Sequence, residues 1–446
     1  MHRGNNLVRS LVNHPWVRDY GMVFVLLLLM ALFSSLTIRD QFPVGKEAGK
    51  QVAEKILARR DRDSIGVLIV TRDTAEDRAF AAAVRSRLQG SSGRMLGSVQ
   101  GEPADARIEI ERILARGETI DAIAANSVTA KWNIYDRYPE VGKAKCVTPT
   151  SYRWPTFLKS SNLVGVANQT SIYAIIAIGM TIVIVTGGID LSVGSLVALA
   201  AVATAVVIRD WGGGSGAPIA AVWLASILGI AVCGFAGLVS GVLITRFQVP
   251  PFIATLGMMM IASGLAFRWS EGTSIPELPA SLFSLGQGST GRIPNPVLMM
   301  LIAYGVAHLI MSRTIFGRYV YAIGGNVQAA RLSGIPVSRT LVIVYALCGA
   351  LAGFGGLVLT SQLSAGDPKF GGMYELEVIA AVVVGGTSLM GGRGKIFGTL
   401  IGAFIIAVIR NGMNLTDIDP FNQKIVLGGV LVLAVLIDMA KRSDQP

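Results

Sequence analysis

Residues 187–194, with the sequence GGIDLSVG, separate two apolar runs that are each long enough to cross a bilayer. Asp190 therefore stands among glycines at membrane depth, where a charge costs about 2.5 to 3.5 kcal/mol at the centre of a spanning helix. Non-helical backbone at that depth is tolerated only where protein buries it or where it lines a cavity. Two interpretations follow: Asp190 caps the next helix in a tight turn, or it belongs to a pathway or gate.

The composition is that of a polytopic, mainly α-helical membrane protein, with 52% hydrophobic and only 15% charged residues. The formal net charge of +11 is not accompanied by a basic run interleaved with aromatic residues, so nucleic acid is not an expected partner. The cysteines and histidines have no metal-ligand spacing, and we predict no metal site and no cofactor. The positive charge is expected on cytoplasmic loops.

The apolar runs predict about ten transmembrane helices. They lie near residues 22–38, 164–186, 193–209, 218–244, 252–268, 295–312, 340–360, 375–390, 396–410 and 424–440. The first run follows Arg3, Arg9 and Arg18, and no cleavage-site pattern follows Leu36. Residues 1–40 are therefore predicted to form a cytoplasmic N-terminus and an uncleaved anchor helix rather than a secretory signal.

The distribution of charge predicts that both termini are cytoplasmic in an inner (plasma) membrane protein. With that start, the turns that fall on the cytoplasmic side are basic, at Arg246, 313–339, 393–395 and 441–442. The exceptions on the opposite side are Arg292, Lys369 and Arg410.

Residues 41–160 differ from the apolar runs because charges occur throughout them. Their pattern predicts strands at 65–70, 94–99 and 121–125, and helices at 74–88, 103–115 and 128–138. Strands that alternate with helices imply an inserted α/β subdomain with βαβ units and a parallel sheet. Counting spans from the anchor places this subdomain outside the cytoplasm.

The stretches GVLIVTRD and RGETIDAIAANS within the insert resemble the first lobe of periplasmic sugar-binding proteins. A complete binder of that class closes two lobes over its ligand, and the insert corresponds to about half of one. Docking or a structural role is one interpretation of the insert, and weak ligand sensing is the other.

The longest predicted cytoplasmic loop, residues 313–340, contains the sequence GGNVQAARLSGI. Asn326 can cap a short helix that Gly334 ends before Pro336. Its Ala-Ala pair permits the close approach of a soluble partner, and Arg331 can pair with an acid. A plain surface helix between two spans is the alternative.

This loop resembles the coupling loop of binding-protein-dependent ABC importers, in the form found in ribose-type sugar permeases. Three further stretches agree in the family's order: GMTIVIVTGGIDLSVGS, PPFIATLGMM and VIAAVVVGGTSLMGGRGKIFGTLIGAFII. Together they cover residues 163–440, so residues 161–446 are expected to form the permease transmembrane domain. The insert departs from the family, in which the first two spans are joined more briefly.

The resemblance implies a transporter subunit for a monosaccharide, a ribose-like pentose or related sugar. The implied partners are a cytoplasmic ATP-binding cassette ATPase, a second permease subunit in a homodimer or heterodimer, and a periplasmic solute-binding protein. The lipid bilayer is the further implied partner, around the membrane-spanning helices. The implied contacts with the ATPase are Gly325, Asn326, Ala329, Ala330, Arg331 and Gly334.

A second glycine cluster at 385–395 aligns with residues 187–194. Two broken segments in different halves of a transporter point to its pathway, although close helix packing through small residues also explains such glycines. The pathway or gating candidates are Gly187, Gly188, Asp190, Ser192, Gly194, Gly385 and Gly386.

Other functions remain to be weighed against this one. No G-x-x-x-x-G-K-[ST] motif occurs, so ATP hydrolysis is expected from another polypeptide and the chain is not expected to be an enzyme. A secondary transporter needs an intramembrane ionisable relay, for which Asp190, Glu375 and Glu377 are sparse. A membrane-tethered sensor would not need so many glycine-rich spans. Nucleosides or another small polar solute are the alternative cargo.

Overall fold

The computed structural model describes residues 15–58, 65–89, 91, 93–139, 141–142 and 145–443. The chain divides into two compact units, one formed by Ile38–Pro155 and the other by the rest of the chain. Arg3 and Arg9, which support the predicted orientation of the anchor, lie outside the described residues. The first described helix, α1, is Pro15–Leu36.

In the part of the unit Ile38–Pro155 that the structure describes, there are three α-helices and a four-stranded parallel sheet of order β3-β2-β4-β5. Its elements are β1 Ile38–Gln41, α2 Gly45–Leu57, β2 Ile65–Thr71, α3 Ala75–Leu88, β3 Gly93–Gln100, α4 Pro103–Ala115, β4 Ala122–Ala125, β5 Cys146–Val147 and β6 Tyr152–Pro155. Every residue of β2 is buried, because helices cover both faces of the central strand. The first and last strands, β1 and β6, pair antiparallel.

The helix cap that the sequence predicts in this unit is present, but one predicted helix is not. The Thr74 side chain accepts a hydrogen bond from Asp77 N–H at 3.2 Å, so the predicted cap of α3 is present. The helix predicted at 128–138 is wrong: two short 3₁₀ helices, Thr129–Lys131 and Asn133–Arg137, take its place. Trp132 between them is extended, with φ −64° and ψ 133°, which interrupts any longer helix.

The other unit is a bundle of helices. After α1 it contains α5 Ser160–Val185, α6 Val193–Asp210, α7 Ile219–Arg246, α8 Pro251–Trp269, α9 Ala280–Gly286, α10 Asn295–Arg313, α11 Ile315–Gly325, α12 Val327–Leu332, α13 Val337–Leu363, α14 Tyr374–Val384, α15 Ile396–Leu415 and α16 Pro420–Ser443, with a small hairpin of β7 Ser289–Thr290 and β8 Ile293–Pro294. Of the helices in the described residues, seven are long and apolar enough to cross a membrane: α5, α6, α7, α8, α10, α13 and α15. Gly21–Leu36 and Pro420–Leu436 are shorter apolar helices. The chain is thus a multi-pass membrane protein, with α5 and α6 the most enclosed of the seven.

The span predicted at 375–390 is shorter than the sequence indicated, because α14 has only 11 residues and ends at Val384. Such a helix is about 16 Å long, roughly half of the hydrocarbon core of a bilayer. The irregular segment 364–373 before it runs along α6 instead. Gly366 lies against Ala201 and Ala205, and Gly371 lies against Gly194 and Val197. The chain therefore descends into the bundle before α14 begins.

Candidate functional site

The glycine-rich turn after α5 and the one after α14 meet at one end of the bundle. Gly187 and Gly391 have φ values of 82° and 86°, in the left-handed region that favours glycine. A Cβ atom on Gly324 of α11 would lie 1.7 Å from the carbonyl oxygen of Val185, so no side chain fits there. Gly392 N–H donates to that same carbonyl at 2.8 Å. Backbone packed directly on backbone closes this junction.

Asp190 is wholly buried in the first of these turns. Its Oδ1 accepts from the Ser192 N–H at 2.9 Å and from the Ser192 hydroxyl at 2.6 Å. Its Oδ2 accepts no well-formed hydrogen bond from the described residues, and the weak donor Cys348 Sγ lies beside it. The Tyr345 hydroxyl, which packs against Gly188, also has no partner among the described residues. The turn interpretation explains one carboxylate oxygen of Asp190 and leaves the other unused.

The helices α6 and α14 begin next to each other inside the bundle. A Cβ atom on Gly194, in the first turn of α6, would lie 2.4 Å from Oε2 of Glu375, in the first turn of α14. The partial positive charge at a helix N-terminus stabilises a nearby carboxylate. Gly194 is therefore required for close approach, whereas Gly385 packs on Gly398 of α15 and Gly386 has open space around it.

A cavity of about 280 Å³ lies between α5, α13, α14 and α15. The rings of Tyr173 and Tyr374 pack at its wall with centroids 4.4 Å apart. Its polar lining residues are Gln169, Thr170, Tyr173, Gln362, Tyr374, Glu377, Arg410, Asn411 and Asn414. A concave cavity with aromatic faces and a few convergent polar groups is the usual form of a small-molecule site.

The cavity contains an ion pair between Glu377 of α14 and Arg410 of α15. Arg410 Nη2 donates to Glu377 Oε1, Arg410 Nη1 donates to the Tyr173 hydroxyl at 2.9 Å, and the guanidinium lies 5.5 Å from the centroid of the Tyr173 ring. The Arg410 side chain is only 29% exposed, and the Glu377 side chain only 19%. The same pair lines a second cavity of about 320 Å³ against α16, so it stands between the two cavities.

Sequence reasoning named Glu377 at the edge of a span but missed its partner. The sequence did contain a signal for that partner: Arg410 is a basic residue at a turn on the predicted non-cytoplasmic side, where few basic residues are expected. An arginine out of place at the end of an apolar helix indicates a partner within the bundle.

The predicted coupling segment contains the short helix α12, Val327–Leu332. Asn326 Oδ1 accepts from the Ala329 N–H at 3.0 Å, so the predicted cap is present. Ala330 is only 4% exposed and packs with Ile323 and Val337. Its side chain is therefore part of the loop's own core and not of the surface, unlike Ala329, Arg331, Gly325 and Gly334, which are exposed. The sequence analysis did not single out Leu332, which is 90% exposed.

Comparison with known proteins gives consistent matches to import permeases. The ribose import permease protein of Escherichia coli strain K12 is 44% identical over 292 residues, which cover 65% of this chain and 88% of that protein. The ribose import permease protein of Bacillus subtilis strain 168 is 43% identical over 290 residues, 64% of this chain and 87% of that protein. The L-arabinose ABC transporter permease protein of Azospirillum brasilense is 37% identical over 291 residues, 65% and 84% of the two chains. No solved structure matches the chain.

The resemblance to ribose-type ABC importer permeases is thereby confirmed for the helical bundle. The family match begins at residue 162, so the unit Ile38–Pro155 lies outside it. Residues 162–435 match the family described as the permease component of the branched-chain amino acid transport system, and the chain belongs to this family of transport permeases.

Proposed function

We propose that the chain is the membrane-spanning subunit of an ATP-driven importer for a monosaccharide, a ribose-like pentose or a related sugar. The observation that carries the proposal is the cavity with Tyr173, Tyr374, Glu377 and Arg410 inside the bundle. Tyrosine faces cover the apolar side of a sugar ring, and amide, carboxylate and guanidinium groups exchange hydrogen bonds with its hydroxyls. The ribose and arabinose permeases among the relatives support this choice of solute.

The Glu377–Arg410 pair suits a step in which a solute passes from one side of the pair to the other. Both groups remain partly exposed to the cavities, so solute hydroxyls can replace the contacts that the two charges make with each other. Removing one partner of a fully buried ion pair costs about 3 to 5 kcal/mol, and partial exposure lowers that cost for this pair, whereas replacing both partners by neutral groups costs far less. The pair can therefore be tested without destroying the bundle.

The sequence has no nucleotide-binding P-loop, so a separate ATPase drives the cycle. It docks on α12 in the segment 313–340, where Ala329, Arg331 and Leu332 are exposed to a groove of the partner. Because Ala330 supports the loop from inside, we place the contact on its exposed neighbours. Leu332→Asp should uncouple uptake from ATP hydrolysis while the permease still reaches the membrane, with Gln328→Asp as the exposed control on the same helix.

The bundle is completed by a second permease subunit, and about ten helices of each subunit lie at membrane depth when α1, α14 and α16 are counted with the long spans. Both termini face the cytoplasm of a cell with an inner membrane. The unit Ile38–Pro155 then faces the periplasm, where a solute-binding protein delivers the sugar. Glu76→Cys, an exposed position of that unit, should react with a membrane-impermeant thiol reagent in intact spheroplasts of a Cys146→Ser background; labelling only after lysis would overturn this orientation.

A docking role for the unit Ile38–Pro155 is supported by the carboxyl edge of its sheet. Asp77 Oδ1 accepts from Asn126 Nδ2 at 2.8 Å, and Asp77 Oδ2 accepts from Arg72 Nε at 3.0 Å. Asn126 Oδ1 accepts from the N–H groups of Val128 and Thr129 at 2.9 and 2.8 Å. These polar groups satisfy one another, whereas a sugar site needs groups with capacity to spare. Deleting residues 45–150 with a short linker between the β1 and β6 ends should leave assembly intact and lower solute delivery.

The solute is tested by uptake in cells that lack their own ribose transport and express this chain with its ATPase and binding protein. Radiolabelled ribose should accumulate, unlabelled ribose and related pentoses should compete, and nucleosides should not. Competition by a nucleoside at lower concentration than ribose would transfer the assignment to the alternative cargo. Absence of any uptake of either class, with all subunits in the membrane, would refute the proposal.

The cavity is tested in the same assay by two variants. Glu377→Gln with Arg410→Gln removes both charges, and Gln169→Leu removes an amide that lines the cavity. Uptake of ribose should fall in both while expression is maintained. Normal uptake by the double variant would show that the ion pair only holds α14 and α15 together.

A further inference from the structure

The end of the bundle that carries α11 and α12 also contains a cleft that the proposed transport cycle does not use. It has a volume of about 560 Å³ and lies between α10, α11 and α15. Its lining residues are His308, Met311, Ser312, Arg318, Tyr321, Lys395, Ile396 and Phe397. Cationic and hydroxyl groups therefore share one concave surface with apolar side chains.

Two contacts hold the walls of this cleft together. The Tyr321 hydroxyl donates to the carbonyl oxygen of Gly394 at 2.7 Å, which ties α11 to the turn before α15. Arg318 lies three residues before Tyr321 on the same helix face, and Lys395 follows Gly394 directly, so the two cations converge on the cleft. On the third wall, His308 packs on Phe397 with ring centroids 4.7 Å apart.

Neither Arg318 nor Lys395 forms an ion pair in the part of the chain that the structure describes, and both are exposed. The apolar surface beside them is large. On α10, Ile302, Val306 and Leu309 are 58%, 50% and 59% exposed, and they lead along the helix toward the cleft. An apolar face that ends at a pair of cations is complementary to a lipid with an anionic headgroup.

We propose that this cleft binds the phosphate headgroup of an anionic phospholipid. Arg318 and Lys395 contact the phosphate, and the acyl chains lie along the exposed apolar face of α10. The Ser312 and Tyr321 hydroxyls donate to the carbonyl oxygens of His308 and Gly394, so they line the cleft without donating to the phosphate. The charge complementarity and the continuous apolar face favour a lipid over a soluble partner such as the ATPase, because a soluble protein would bury the cations without covering that face. The bound lipid holds α10, α11 and α15 together at the base of α12.

The test uses the full-length chain in detergent, with native mass spectrometry and titration by phosphatidylglycerol. Wild-type protein should retain phosphatidylglycerol in preference to phosphatidylcholine, with an affinity that falls as salt rises. The variant Arg318→Gln with Lys395→Gln should bind it about 30-fold more weakly, because each basic group contributes about 1 kcal/mol to an anionic lipid surface. The matched control, Arg246→Gln with Arg339→Gln, removes two other exposed cations and should bind as wild type does.

The conservative variant Arg318→Lys with Lys395→Arg should keep the lipid, which separates charge from folding. Four results would each overturn the proposal: equal binding of both lipids, equal loss in the control variant, displacement of the lipid by millimolar glycerol phosphate alone, or unchanged lipid binding with loss of the ATPase from the Gln variant. The last result would assign the cleft to the ATPase.

Discussion

The α/β unit and the helical bundle both turn the chain where buried elements end, but they use different chemistry. In the α/β unit, the side chains of Asp77, Asn126 and Thr129 satisfy each other and the ends of the strands. In the bundle, Gly324 and Gly392 remove the side chains, so that one backbone packs directly on the next. A side-chain network tolerates small shifts, whereas a backbone contact does not. The bundle is therefore expected to be more sensitive to added volume, and the α/β unit to lost polar groups.

The largest effect is expected from Gly324→Ala. The added Cβ would meet the Val185 carbonyl oxygen and the Gly392 nitrogen, which are backbone atoms that cannot rotate away. Overpacking of this kind costs about 3 kcal/mol or more. The neighbouring Gly325→Ala is the matched control, because no atom from outside its own stretch of helix lies within 4 Å of its Cβ position. Thermal unfolding of the purified chain in detergent should give a lower midpoint for Gly324→Ala than for Gly325→Ala. Equal midpoints would show that the bundle is not especially sensitive to added volume at its backbone contacts.

Asp77→Ala comes next and tests the side-chain network. It removes the acceptor of Arg72 and of the buried Asn126, at an expected cost of about 2 to 3 kcal/mol. Asp73→Ala, which breaks the exposed pair with Arg78, should cost less than about 1 kcal/mol. Hydrogen exchange of residues 65–125 in the full chain measures both, and equal protection in the two variants would show that the network is dispensable.

Asp190 combines the two kinds of turn chemistry: it lies in a glycine-rich turn of the bundle, and one of its carboxylate oxygens accepts hydrogen bonds. Asp190→Ala loses both contacts with Ser192 and should cost about 1.5 to 3 kcal/mol in stability or transport. Asp190→Asn keeps an acceptor for Ser192, so folding should change little. If the unused oxygen serves the pathway, ribose uptake by Asp190→Asn should fall about tenfold, the equivalent of about 1.4 kcal/mol. Wild-type uptake by this variant would leave Asp190 with only a structural role in the turn before α6.

The smallest effect is expected from Tyr135→Phe. The Tyr135 side chain is wholly buried in the α/β unit, and its hydroxyl has no partner among the described residues. Removing that hydroxyl should stabilise the unit by about 1 kcal/mol. Burial raises the pKa of Tyr135 above its ordinary value, so the unfolded chain ionises first and wild-type stability falls as pH rises above about 10. The Phe variant should lack this part of the alkaline loss, and hydrogen exchange at pH 8 and pH 10.5 compares the two.

Local patterns in the sequence were sufficient for most elements. Apolar run length located the long spans, and capping chemistry located the starts of α3 at Thr74 and α12 at Asn326. Hydropathy could not show that α14 ends at Val384, because a helix that begins inside the bundle is as apolar as one that crosses it. The helix predicted at 128–138 was wrong because the extended backbone at Trp132 divides this segment into two short 3₁₀ helices, a break that periodicity does not register.

The candidate site was harder to predict than the fold. The glycine turns and Asp190 were visible as local motifs, but the Glu377–Arg410 pair joins residues on different helices. Burial of Ala330 likewise depends on Ile323 and Val337, which flank it at a distance in sequence. Contacts between elements decide which polar groups line a cavity and which face a partner, and a single sequence records them only as exceptions to a pattern. Arg410 was such an exception.

The antiparallel pairing of β1 with β6, from Ile38 opposite Pro155 to Gln41 opposite Tyr152, has an evolutionary consequence. The α/β unit enters and leaves at a single point, and the flanking Thr37 carbonyl accepts from the Thr156 N–H at 2.9 Å. A gene for an ordinary permease can acquire such a unit in one insertion event without remodelling any membrane helix. The same junction offers a position where a reporter domain can be grafted onto relatives that lack the insert.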